Sequence, residues 1–266
     1  MNASNSVAPP VYVEGHGLLV GRSVLITAAA GVGIGFAAAR RAVEEGCRAI
    51  MISDIHERRL AEAVDRLIGL GSDATVHGCL CNVTDEEQVQ GLVNDAEDRL
   101  EGIDVLINNA GLGGSKPLIE MTDQEWNLVL DVTLTGTMRM TRATLRKMMS
   151  RRRGVIVNNA SVLGWRAQKE QSHYAAAKAG VMALTRCSAL EAAEYGIRIN
   201  AVSPSIAMHD FLRRAAPQDA LDKLASAEAF GRAAEVWEIA NVMMFLASDY
   251  AGYMVGEVLS VSSQRG

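Results

Sequence analysis

From residue 22 onward, short apolar runs alternate with longer stretches whose apolar residues recur every three or four positions. The runs cover residues 23–27, 49–53, 74–79, 104–108, 155–158, 198–202 and 258–261. Most are apolar on both alternating faces, which predicts strands covered on two sides rather than one. Between the second and third runs, Leu60, Ala63, Val64 and Leu67 trace one face of a helix. Regular strand–helix alternation predicts a parallel sheet with helices on both faces. Seven strands use up the chain with no linker and no repeat, so a single α/β domain over residues 21–266 is predicted. Residues 1–20 have no sustained period and include Pro9 and Pro10. They read as an N-terminal tail, either packed on the outside of the domain or partly mobile.

Composition narrows the function classes. Of 266 residues, 49% are hydrophobic, 21% charged and 5% aromatic, as expected of a globular protein with an aliphatic core. No apolar window reaches the length of a membrane span, and no membrane partner is expected. The net charge is −5 with no dense basic patch, which argues against nucleic acid. The one basic run, Arg151, Arg152 and Arg153, reads as a solvated helix end. Cys47, Cys79, Cys81 and Cys187 match neither a zinc pattern nor a redox pair, so no metal is expected. Cys79 and Cys81 share a strand face, and buried reduced thiols are expected. With no export pattern at the N-terminus, they point to the cytoplasm.

Candidate chemistry begins after the first strand, at Thr27, Ala28, Ala29, Ala30, Gly31, Val32, Gly33, Ile34 and Gly35. A strand–glycine–helix turn lets backbone approach a pyrophosphate, with helix-terminal amides as donors. About 20 residues on, Asp54 ends the second strand, where a carboxylate accepts both ribose hydroxyls of NAD and repels a 2′-phosphate. The competing role for Asp54 is a cap on the following helix. Tyr174 and Lys178 lie four apart, on one helical face. A free phenol titrates near 10, and a nearby cation lowers that value toward the range of a general acid or base. Ser161 follows the fifth run, at the sheet edge where such folds bind ligands.

In this order and spacing the motifs resemble the short-chain dehydrogenase/reductase family, over residues 22–263. The resemblance implies a Rossmann-type, doubly wound sheet and NAD as cofactor. It implies Ser161, Tyr174 and Lys178 as catalytic residues, with Tyr174 and Lys178 also touching the cofactor. Thr27, Ala29, Gly31, Gly33, Ile34 and Gly35 would form the phosphate turn, and Asp54 the ribose contact. Asn82 and Val83, in place of the family's Asp-Val, would hold the adenine. Asn109, Ala110 and Gly111 would lie along the cofactor, and Pro204 and Ile206 beside the nicotinamide. Several positions depart from the family. Either the glycine turn is one residue longer, or Ala28 and Ala29 stand where the family has Thr-Gly. Thr133 occupies the position of a helix asparagine that holds a proton-relay water. His209 replaces a threonine or belongs to the substrate site.

Residues 206–230 are expected to form a substrate lid, with Phe211, Leu212, Leu221 and Leu224 among Arg213, Arg214 and Lys223. That is either an apolar pocket under a basic rim or an amphipathic helix pair with a solvated face. The stretches around Ala29, Ser161 and Ile206 resemble one branch of the family, bacterial steroid-catabolic dehydrogenases acting on hydroxy-indanone-propionyl CoA thioesters. Proteins of that branch are often labelled 3-oxoacyl-carrier-protein reductases. The implied reaction is hydride transfer between NAD and a ring hydroxyl of a CoA-linked small molecule. The alternatives are a 3-oxoacyl-thioester reductase and, in another class, a dinucleotide-binding sensor or scaffold. The resemblance also implies a homotetramer, built through residues 122–150, 172–195 and the last strand.

Overall fold

The computed structural model describes residues 6–209, 212–213 and 218–263. Seven strands form one parallel sheet: β1 (Ser23–Thr27), β2 (Ala49–Asp54), β3 (Thr75–Leu80), β4 (Val105–Asn108), β5 (Gly154–Asn159), β6 (Ile197–Pro204) and, last in the chain, β9 (Val258–Val261). Their order across the sheet is β3-β2-β1-β4-β5-β6-β9. The intervening helices are α1 (Ile34–Glu44), α2 (Glu57–Ile68), α3 (Glu86–Arg99), α4 (Asp123–Leu130), α5 (Gly136–Arg151), α6 (Ser172–Ala193), α7 (Gln218–Ala227) and α8 (Val236–Ala247). A short parallel pair, β7 (Ala207–Met208) with β8 (Ala234–Glu235), lies outside the main sheet and was not predicted. Two residues per strand are too few to leave a periodic signal.

Strand alternation divides the sheet's side chains between two cores. Val24, Ile26, Ile50, Ile52 and Val157 enter one, against Phe36 and Val43 of α1 and Met243 and Met244 of α8. Leu25, Met51, Leu106 and Ile156 enter the other, against Leu92 of α3 and Met140 of α5. Each fully buried aliphatic side chain contributes about 1.5–3 kcal/mol by leaving water. That requirement is what pins the register and leaves the carboxyl ends of the strands aligned along one edge.

Residues 6–20 run along the outside of α1 and α8. Tyr12 packs edge-on against Trp237, with ring centroids 5.3 Å apart, and its hydroxyl donates to Glu44. The buried Glu45 carboxylate accepts from the His16 and Leu18 backbone N–H groups at 2.8 and 3.0 Å and from Arg41 at 2.6 Å.

The basic run is an exposed helix end, and its arginines also find partners. Arg151 pairs with Glu97, and Arg153 with the buried Asp104, which also accepts from the Ser23 N–H at 3.0 Å. Charges that look surplus in sequence join α5 to α3 and to the amino ends of β1 and β4. The thiols differ from expectation: Cys47 and Cys81 are buried, Cys79 is half-buried just before the end of β3, and Cys187 is exposed.

Candidate active site

Strand order reverses between β1 and β4, and the crevice above their carboxyl ends is where open α/β sheets bind ligands. The Thr27 hydroxyl closes the floor of that crevice by accepting the backbone N–H groups of Asn109 and Ala110, both at 3.0 Å. The Asn109 side chain donates back to the Thr27 and Ala28 carbonyls at 3.2 and 3.0 Å and accepts from Asn159 at 3.0 Å. Three strand ends are thereby latched together.

The turn between β1 and α1 takes its left-handed residue from Ala28, at φ 52°, rather than from a glycine. Its glycines serve closeness instead. A methyl at Gly35 would lie 2.4 Å from Asn109 Nδ2 and 2.5 Å from the Ala28 carbonyl oxygen. Gly33 precedes α1 without a side-chain cap, so the first amides of that helix are left to another acceptor. An uncapped helix start, a backbone turn free of side chains and Gly35 at the tightest point fit a dinucleotide pyrophosphate. Gly31 and Ile34 complete this turn, and the ring of His209 comes within 3.8 Å of where a Gly33 methyl would stand.

Asp54 faces the same turn. One carboxylate oxygen accepts from the Ala30 N–H at 3.3 Å; the other accepts from the His56 N–H at 3.1 Å and lies 3.9 Å from Arg59. The cap position of α2 belongs to His56, not Asp54. Burial pushes the Asp54 carboxyl above its usual range, against the pull of the Ala30 N–H and Arg59. Asn82 spends its amide oxygen inside its own turn, on the Thr84 N–H and hydroxyl at 3.1 and 2.9 Å. Val83 is buried, in the space a Gly136 methyl would need. Pro204 closes β6, and the Ile206 carbonyl accepts from the Ala234 N–H at 2.9 Å.

Ser161 leaves β5 and caps a short 3-10 turn, its Oγ accepting from the Leu163 N–H at 3.2 Å. The first turn of α6 brings Tyr174 beside it, near enough for the Ser161 hydroxyl to act on the phenol. One turn on, Lys178 is buried with its Nζ 5.6 Å from the Tyr174 ring centroid, donating to the Asn159 carbonyl at 2.5 Å. A Gly111 methyl would stand 3.4 Å from the same Nζ. The electrostatics differ from the sequence expectation. Desolvation in the cleft pushes the Tyr174 phenol up, against the opposing influence of the Ser161 hydroxyl, so the protein's own residues do not yield a lowered phenol. The neighbouring cation is itself desolvated, which holds Lys178 down at about 8.

Thr133 is fully buried in a π-helical turn, Asp131–Thr135, between α4 and α5. Its hydroxyl accepts from the Leu112 N–H at 3.0 Å and donates to the Leu112 carbonyl at 3.3 Å. The side chain therefore positions the backbone beside Gly111.

Comparison with known proteins gives the family. A family model described as enoyl-(acyl carrier protein) reductase, one of the short-chain dehydrogenase models, matches residues 28–263. The chain belongs to the short-chain dehydrogenase/reductase family, whose members bind a nicotinamide dinucleotide. Among relatives, it is 60% identical over 261 residues, 98% of each chain, to the (5R,7aS)-5-hydroxy-7a-methyl-1-oxo-2,3,5,6,7,7a-hexahydro-1H-indene-carboxyl-CoA reductase of Mycobacterium tuberculosis. It is 36% identical, over 92% of this chain and 97% of the relative, to a 3-oxoacyl-[acyl-carrier-protein] reductase of Vibrio harveyi. A solved short chain dehydrogenase of Mycobacterium smegmatis superposes with a TM-score of 0.87 at 56% identity, covering 97% of this chain and 99% of that one. More distant solved members hold NADPH or NAD+.

Within this short-chain dehydrogenase/reductase the sequence reading overlooked a buried amide network under the site. Asn108 donates to Thr141 and Asn158, and Asn158 to Thr185, at 2.9–3.0 Å. Two asparagines inside apolar strand runs were the available signal, since buried amides persist only where partnered. His173 is buried beside Tyr174, and its ring Nδ1 has no hydrogen-bond partner among the described residues. In the segment expected to form a lid, Leu221 is buried, Leu224 is 40% exposed, and Phe211 and Arg214 lie outside the described residues. Among the described residues no cluster of three or more His, Cys, Asp or Glu could hold a metal, and no helix is long and apolar enough to cross a membrane.

Proposed function

We propose that this protein is an NAD(H)-dependent dehydrogenase/reductase that interconverts a secondary alcohol and a ketone on a CoA-linked, steroid-derived ring substrate. The observation that carries the chemistry is the meeting of Ser161, Tyr174 and Lys178 at the sheet's carboxyl edge, beside a glycine turn that fits a pyrophosphate. The substrate class follows the 60% identity to a relative named for an indene-carboxyl-CoA.

When bound, the nicotinamide supplies the hydride acceptor or donor. Ser161 orients the substrate oxygen by hydrogen bonding. Tyr174 takes the hydroxyl proton in the oxidative direction and returns it in the reductive one. Lys178 reaches ribose hydroxyls and, when protonated, favours tyrosinate. Asp54 selects NAD by receiving ribose hydroxyls where a 2′-phosphate would meet its charge. Gly31, Gly33, Ile34 and Gly35 line the phosphates, with Ala29, Asn82, Val83, Asn109, Ala110, Gly111, Pro204 and Ile206 along the rest of the dinucleotide. Assembly as a homotetramer through residues 122–150, 172–195 and the last strand would cover Leu128 on α4 and Leu190 on α6, both exposed.

Steady-state turnover of a hydroxy-indanone-propionyl CoA thioester, against a linear 3-oxoacyl thioester, with each dinucleotide, tests this reading. Tyr174→Phe should lower kcat by about 10²–10⁴ while NADH still binds. Wild-type turnover in that variant would overturn the chemistry. Preference for the linear thioester would favour the acyl reductase, to which the 36% identical relative points. NADH binding with no turnover on either substrate would favour a sensor.

A further inference from the structure

Two loops flank Tyr174, and hydrogen bonds zip them into one rim. Residues 165–171 join the turn after Ser161 to the start of α6; residues 111–118 leave the end of β4. The Lys116 N–H donates to the Glu170 carbonyl at 3.0 Å, Gln171 Nε2 to the Gly114 carbonyl at 2.7 Å, and the Ser115 hydroxyl to the Glu170 carboxylate at 2.5 Å. Glu170 is held in a left-handed backbone, φ 64°, unusual for a residue with a side chain. Under the rim, a methyl at Gly113 would touch the Tyr174 ring at 3.7 Å, so this surface borders the reacting centre directly.

The rim carries exposed cations and apolar side chains in a protein of net charge −5. Arg166 and Lys169 are exposed, and neither side chain has an ion pair or hydrogen bond among the described residues. Glu170, the one acid of the 165–171 loop, is turned onto Ser115. The same two loops, which the Lys116–Glu170 and Gln171–Gly114 bonds hold together, carry Trp165 on one and, at the end of the other, Leu118 and Ile119, exposed by 51, 63 and 95%. Exposed apolar side chains grouped with cations beside a cleft mark a binding surface rather than ordinary solvated loop.

We propose that this rim binds the phosphate-bearing arm of the coenzyme A thioester, with Arg166 and Lys169 on its phosphates and Trp165, Leu118 and Ile119 against its apolar stem. The proposal rests on the thioester reading given above. An acyl group inserted toward Tyr174 drags a polyanion behind it that is too costly to bury, so the arm has to leave over the cleft edge. A guanidinium fork and an ammonium at that edge match phosphate oxygens, and the field acts over about one Debye length, roughly 8 Å.

The test uses CoA itself as the probe, titrated calorimetrically into the NADH-bound full chain and into the Arg166→Glu/Lys169→Glu double variant. The same acyl group is also assayed as its CoA thioester and as its neutral N-acetylcysteamine thioester. Reversing two exposed charges should weaken CoA binding by about tenfold or more. The ratio of kcat/KM on the CoA thioester to that on the neutral one should fall equally, through KM. Raising salt should weaken wild-type CoA binding. The proposal is overturned if CoA affinity is indifferent to charge reversal, or if both thioesters lose equally. It is also overturned if the variant changes oligomeric state, which would make the rim an interface between copies, or responds only with a carrier-protein thioester. Charge-dependent CoA binding in a wild type that turns over no acyl thioester would sink the substrate reading and leave the rim site standing.

Discussion

The tightest test of the crevice geometry is Gly35→Ala. The added methyl would stand 2.4 Å from Asn109 Nδ2, 2.5 Å from the Ala28 carbonyl oxygen and 3.1 Å from the Ala29 Cα. None of these yields cheaply. Two are backbone atoms, and the third donates to the Thr27 and Ala28 carbonyls. Restoring ordinary contact moves the turn by close to an ångström, at an overpacking cost of about 1–3 kcal/mol. For a domain of this size about 1 kcal/mol corresponds to 2–4 °C, so Tm should fall by about 2–12 °C. The displaced atoms belong to the turn that presents amides to the pyrophosphate, so the NADH Kd should rise about tenfold, the equivalent of roughly 1.4 kcal/mol. Gly91→Ala is the matched control. Gly91 is exposed within α3 and has nothing within 4 Å of its would-be methyl. Alanine there should stabilise the helix by up to about 1 kcal/mol and raise Tm. Calorimetric melting and NADH titration read both variants. A Gly35→Ala protein with wild-type Tm and Kd, or equal losses in the two variants, would refute the packing analysis.

Three other predictions rest on separate contacts. Burial holds Lys178 at about 8, below its unfolded value, so the unfolded chain binds more protons there as pH rises from about 8 toward 10. Its contribution to stability therefore increases over that window, and the difference in urea midpoint between wild type and Lys178→Met should change with pH; a pH-independent difference rejects the buried ammonium. Asp54→Ala removes the carboxylate 3.9 Å from Arg59, and the ratio of kcat/KM for NADP to that for NAD should rise at least about tenfold. No change in that ratio would dismiss Asp54 as the selector. Thr133→Val leaves the Leu112 N–H without its partner, at a cost of about 1–3 kcal/mol, whereas Thr133→Ser keeps the hydroxyl. Equal melting temperatures for the two variants would show that the hydroxyl does no positioning.

Much of this molecule is written locally. Apolar runs with two buried faces, separated by helical periods, specify a covered parallel sheet, because each strand must remove both faces from water. The glycine turn, Asp54 at a strand end and the Tyr174–Lys178 spacing are likewise local, since each needs only one element and its terminus. What the chain could not reveal are outcomes of convergence. Arg151 and Arg153 look unpaired until α3 and the start of β4 bring Glu97 and Asp104 to them. Thr133 looks like a lost amide until a π turn aims its hydroxyl at Leu112. Asn108 and Asn158 look like polar interruptions until two strands and two helices supply their partners. The phenol's environment is the sharpest case. Spacing places Lys178 near Tyr174, but desolvation depends on everything packed around them, and it reverses the expected direction. Short-range pattern determines which element forms; burial, pairing and titration are set by neighbours far away in the chain, and only the folded arrangement decides them.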